Sequence, residues 1–211
     1  MAPVARFPIL PTMKHLALML SLTATPVLAT PEYILPTLFD VTGVSADDVL
    51  NVRAEPSASA GILSTLPPDA RGIEVVEERR GWGRINTAEA SGWVSMRYLT
   101  YRVDVWQDGA MPAGFRCYGT EPFWDARVDG GSLVIGRPDD PETRLPVTAT
   151  LSTGMFRDPA RAVMADGVTL VATPAICSDG MSDRIYGLRA SLAIADQQRL
   201  LSGCCTIQPA D

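Results

Sequence analysis

Glu121, Asp179, Asp183 and Tyr186 are the side chains best suited to chemistry in this 211-residue chain. Glu121 lies in a GTEPFW run at 119–124, and the others lie in or just after a CSDGMSD run at 177–183. Two carboxylates facing each other across a cleft are the acid and base of glycoside hydrolysis. Asp-rich loops also hold calcium, but the oxygen spacing here does not follow an EF-hand. The plainer reading is a pinned turn, because Asp179-Gly180 is a turn signal and Ser182 and Asp183 bond nearby backbone amides. Ligand binding at Glu121, Asp179, Asp183 and Tyr186, with Trp124 covering a cavity, is therefore favoured over catalysis. Trp93 and Tyr98 are a separate candidate pair, since aromatic rings with polar tips suit peptide or sugar contacts in a surface groove.

What is missing narrows the chemistry further. The only lysine is Lys14 and the only histidine is His15. Downstream there is no imidazole base, no Ser-His or Cys-His pair and no Schiff-base lysine. Neither a cofactor nor a metal is expected. The net charge is −6 and no basic run exists, so nucleic acid is excluded as a partner.

The stretch Met13–Ala29 has a basic start, an apolar run from Leu16 to Leu28, and small residues Val27 and Ala29. This is the pattern of a secretory signal peptide, assigned here to residues 1–29, and its apolar run is too short for a permanent span. No membrane span is expected after cleavage, and a periplasmic or otherwise exported location follows. Without the leader the charge falls to −8, from 16 basic and 24 acidic residues. In such a compartment Cys117, Cys177, Cys204 and Cys205 read as two disulfides. Bridging the neighbours Cys204 and Cys205 would strain the ring. Cys117 therefore takes one of them and Cys177 the other, in either combination. Closing Cys177 onto Cys204 would contribute roughly 3 kcal/mol. Zinc is disfavoured, because no C-x-x-C is present. Since only the C-terminal half carries cysteine, reductant is expected to destabilise that half and leave the first largely unaffected.

The elements that must position these groups are strands. Short runs at 50–53, 62–66, 72–78, 82–86 and 92–94, broken by Gly, Pro, Asp and Ser, predict a small five-stranded barrel. Runs at 123–128, 132–137, 145–151, 168–173, 185–194 and 199–202 predict a second antiparallel barrel or sandwich. Asp129-Gly130-Gly131 marks a tight hairpin, residues 155–166 leave room for a helical turn, and a linker is placed at 102–114. In the first half Trp82, Ile85, Val94 and Leu99 are read as core. The fold class is all-β, divided into 30–101, the linker, and 115–207.

LNVR at 50–53, Pro56, Leu63 to Leu66, GWGRI at 81–85 and GWVSMRYL at 92–99 together resemble the bacterial SH3 (SH3b) family. That resemblance implies an SH3-like barrel that targets peptidoglycan or its stem peptides. Phe115-Arg116-Cys117, GTEPFW, CSDGMSD, Tyr186 and SGCC at 202–205 resemble an uncharacterised family of exported bacterial envelope proteins. The second resemblance implies a disulfide-bearing β domain and the pairs Cys177–Cys204 and Cys117–Cys205. Relatives often carry proline where Gly187 stands. The expected function is a non-catalytic cell-envelope protein that binds peptidoglycan or its peptides, and an envelope protein is a further partner. The alternatives are a small-ligand or protein binder working through the C-terminal domain, and a carboxylate-dependent wall hydrolase.

Overall fold

A computed structural model describes residues 33–88 and 90–208, so the expected signal peptide lies outside the described residues. Eight strands build the first half. They are β1 (Thr37–Val41), β2 (Leu50–Arg53), β3 (Ile62–Leu66), β4 (Ile73–Val75), β5 (Glu77–Arg79), β6 (Trp82–Asn86), β7 (Ser91–Ser95) and β8 (Leu99–Tyr101), with a 3-10 turn at Met96–Tyr98. They form a three-stranded sheet β4-β1-β8 and a five-stranded sheet β3-β2-β7-β6-β5. The single run expected at 72–78 is two strands, because the chain passes from one sheet to the other at buried Val76. Phe39, Val41, Leu50, Val52, Ile73, Val75, Ile85 and Val94 fill the space between the sheets.

Of the two tryptophans of this half, Trp82 departs from its expected place in the core. Gly83 and Ile85 face inward on β6, which leaves Trp82 half-buried on the outer face. A Cβ on Gly83 would meet Met96 Sδ at 2.5 Å, so the interior at that point has no room for a side chain. Trp93 is the more buried ring, 6 % exposed, although it also belongs to the outer face.

The second half is a closed antiparallel barrel of eight strands. They are β9 (Arg116–Thr120), β10 (Phe123–Asp129), β11 (Ser132–Arg137), β12 (Asp140–Ser152), β13 (Arg161–Ala165), β14 (Val168–Cys177), β15 (Tyr186–Ile194) and β16 (Arg199–Thr206). The ring closes where β16 pairs with β9. Closure leaves no free sheet edge. Gly130 and Gly131, both at positive φ, form the two-residue turn between β10 and β11, as the sequence expects. The helical turn expected within 155–166 is instead strand β13 over its second part. There Arg161 and Val163 alternate inward while Ala162 and Met164 face out.

The barrel is filled by its own alternating side chains, including Trp124, Leu133, Leu170, Leu188 and Leu192. Residues 102–114, read from sequence as a linker, also contribute: Val105 and Trp106 are buried in this same core. So is Leu38 of β1, from the first half. The Trp106 indole N–H donates to the Pro36 carbonyl at 2.8 Å. Residues 33–208 accordingly belong to a single compact unit.

Candidate functional site

On the outer face of the five-stranded sheet, Arg53, Trp93 and Arg84 lie opposite one another across β2, β7 and β6, and Glu77 of β5 continues the row. The Arg79 and Arg84 guanidinium carbons sit 5.3 and 5.7 Å from the centre of the Trp93 ring. Such stacking suits the ring's negative face. Glu77 holds both cations, accepting from Arg79 Nη2 at 2.8 Å and from Arg84 Nη1 at 3.5 Å. Trp93 is thus roofed by arginines and presents a cationic surface in place of an open ring. Tyr98 sits elsewhere: it packs against the core of the first half, with Arg97 5.0 Å from its ring.

The GTEPFW run forms the end of β9, a turn with a cis Glu121–Pro122 peptide, and the start of β10. Phe123 and Trp124 enter the strand on opposite faces, 50 % and 3 % exposed. The Trp124 indole points into the barrel wall and donates to the Ser202 carbonyl at 3.3 Å. Two glycines make space for it. A Cβ on Gly119 would stand 1.9 Å from Trp124 Nε1, and one on Gly203 would stand 2.1 Å from the Tyr118 carbonyl and 2.8 Å from the same indole. The glycines of GTEPFW and SGCC therefore serve one buried ring.

Asp179 directs its carboxylate at its own loop. It accepts from the Met181 and Ser182 amides at 3.0 Å each, from the Ser182 hydroxyl, and from the Tyr186 hydroxyl at 3.3 Å. Burial pushes its pKa up, but these hydrogen bonds outweigh that and hold it below the usual carboxylate range. Tyr186 is 4 % exposed, and burial is the main cause of its raised pKa. The Thr120 hydroxyl donates to the Asp179 carbonyl at 3.1 Å, tying the loop to the GTEPFW turn. Exposed Glu121 shares an open cleft of about 390 Å³ with Asp179, Tyr118 and Arg189. Asp183 does not join them. Its carbonyl accepts from the Ser91 amide at 3.1 Å, where the loop meets β7 of the first half. Cys117–Cys205 and Cys177–Cys204 are the two disulfides, the first between directly opposed residues of β9 and β16.

The junction of the halves holds residues that sequence reasoning missed. The Asn86 side chain donates to the Ile185 carbonyl and accepts from the Ile185 amide, both at 2.9 Å. Glu74 of β4 is 3 % exposed; its carboxylate accepts from the Thr206 hydroxyl and from the Ile207 amide at 3.3 Å. Burial pushes its pKa up to about 7, against the lowering effect of those hydrogen bonds and of Arg184. Gly187 stands against Pro36, whose Cβ would be 2.6 Å from an added Cβ, so this glycine is a close approach between the halves. Glu74 sits in an ordinary β-strand pattern, which gives no sign that a second domain will cover it.

No curated protein and no solved structure matches this chain. Residues 48–100 match the family model described as Bacterial SH3 domain, so the stretch from β2 to β8, which carries the arginine-roofed Trp93, belongs to that family.

Proposed function

We propose that this is an exported, non-catalytic envelope protein whose bacterial SH3 domain binds peptidoglycan or its stem peptides. The observation that carries this reading is the family match at 48–100 together with the cationic face over Trp93. Guanidinium groups pair with carboxylates in bidentate geometry, and stem peptides carry free carboxylates. The signal-peptide pattern at 1–29 and the two disulfides suit an oxidising envelope compartment. A non-catalytic role is favoured because Asp179 uses its lone pairs within its own loop and Asp183 sits at the domain junction, so the carboxylates do not form an acid–base pair. In a sedimentation assay with purified peptidoglycan, the oxidised protein should be retained more than an unrelated β-barrel of similar charge. Joint replacement Arg79→Gln and Arg84→Gln should lower retention severalfold. Equal sedimentation of protein and control would reject this function.

A further inference from the structure

Between the SH3 domain and the barrel lies a cleft of about 710 Å³. One wall is Asn86 and Thr87, at the end of β6; the other is formed by Arg116, Tyr118 and Arg127 of β9 and β10, with Arg184, Thr206 and Gln208 closing it. Three arginines line this space in a chain whose net charge is −6. Their partners differ. Arg127 is held by Glu142 at 2.8 Å, and Asp129, the acidic residue in the lining, is held by Arg144 at 2.7 Å. Among the described residues, the Arg116 and Arg184 side chains have no hydrogen-bond or ion-pair partner. The Arg184 Nε is buried without an acceptor.

A buried guanidinium N–H without an acceptor carries an uncompensated desolvation cost. Arg184 is not misplaced by a loose loop. Asn86 clamps the next residue, Ile185, through both backbone polar groups, and the Arg184 guanidinium lies 5.6 Å from the Tyr186 ring. Arg116 is placed by its strand, in register between Arg127 and Thr206. The acidic neighbour Glu74 turns to Thr206 and Ile207 and forms no ion pair with Arg184. Two guanidinium groups without a hydrogen-bonded acceptor present only donors, and the chemistry that satisfies them is an acceptor-only anion.

We infer that this cleft is a binding site for a small oxyanionic ligand, a carboxylate or a phosphate, held between Arg116 and Arg184. The site needs both halves of the molecule, because the SH3 domain supplies one wall and, through Asn86, fixes the loop that carries Arg184. It is distinct from the Trp93 face, so its success or failure leaves peptidoglycan retention unaffected.

Calorimetric titration of the oxidised full chain with citrate and with pyrophosphate, at low salt, tests this. Saturable binding that weakens as sodium chloride rises is expected for at least one probe. Citrate alone would identify a carboxylate site, pyrophosphate alone a phosphate site, and both a site that reads charge. Arg116→Gln and Arg184→Gln should each weaken binding about tenfold or more, while Arg199→Gln, exposed on β16, should change nothing. In the wild type, the Nε–H resonances of Arg116 and Arg184 should shift during the titration, a readout that needs no variant to fold. Binding of neither probe, or binding that leaves those two resonances unmoved, overturns the inference.

Discussion

Gly119 and Gly203 show how much a single missing Cβ decides here. Both lie against the Trp124 indole at distances no side chain tolerates, and at Gly203 the nearest atom is a backbone oxygen that cannot swing away. Overpacking of this kind costs about 1–3 kcal/mol, and more where the backbone must move. Gly203→Ala should therefore lower the urea midpoint markedly, and Gly119→Ala should do so too, by forcing the ring aside. Wild-type midpoints in both variants would refute this packing. Glu74 makes a different prediction. Its carboxyl is raised by burial from the ordinary 4.5 to about 7, so the folded protein holds the proton more tightly than the unfolded chain does. The stability this contributes is complete below pH 4.5 and is lost as pH rises to about 7, an offset of about 3 kcal/mol. Glu74→Gln should flatten the pH dependence of unfolding free energy across that window. An unchanged slope in the variant would show that another group is responsible.

At the scale of strands, the sequence is most readable where local chemistry and fold agree. Gly130-Gly131 specifies its turn through two positive φ angles that few other residues accept, and the hairpin forms as expected. Phe123 and Trp124 alternate across β10 for the same local reason. Strand β13 was less legible, because Arg161 breaks the apolar pattern yet is 3 % exposed. Its guanidinium donates to the Gln107, Ala110, Asp158 and Ala160 carbonyls, and Trp106 lies 5.0 Å away. A buried arginine satisfied by distant backbone cannot be distinguished from a solvent-facing one by its neighbours in sequence. Trp82 departs from the core for a related reason: it follows a glycine just as Trp93 does, and only the register across β6 and β7 decides which ring the arginines cover.

For the molecule as a whole, the junction changes what reduction should do. Leu38 of the first half is counted in the barrel core, Trp106 bonds to Pro36, Glu74 to Thr206 and Asn86 to Ile185. Reading the cysteines alone places the effect of reductant in the C-terminal half. The shared core instead predicts one cooperative transition for the described unit, shifted as a whole. Cys177–Cys204 and Cys117–Cys205 span 27 and 88 residues. On the chain-entropy account they contribute roughly 3–4 and roughly 4.5 kcal/mol respectively. Differential scanning calorimetry should show a single peak that moves to lower temperature with reductant. Two peaks, with the upper or lower one indifferent to reductant, would show that the halves melt separately.

By itself the sequence determined the strand-rich class, the bacterial SH3 series at 50–99 and the presence of four cysteines for two bridges, since these follow from alternation, turn chemistry and residue type. Only the tertiary structure decided that eight strands close into a barrel, that Asp183 leaves the Glu121–Asp179 cleft for the domain junction, and that Arg116 and Arg184 line one cleft. Those outcomes depend on which strands pair and which faces are covered, and both are set by contacts between residues far apart in the chain.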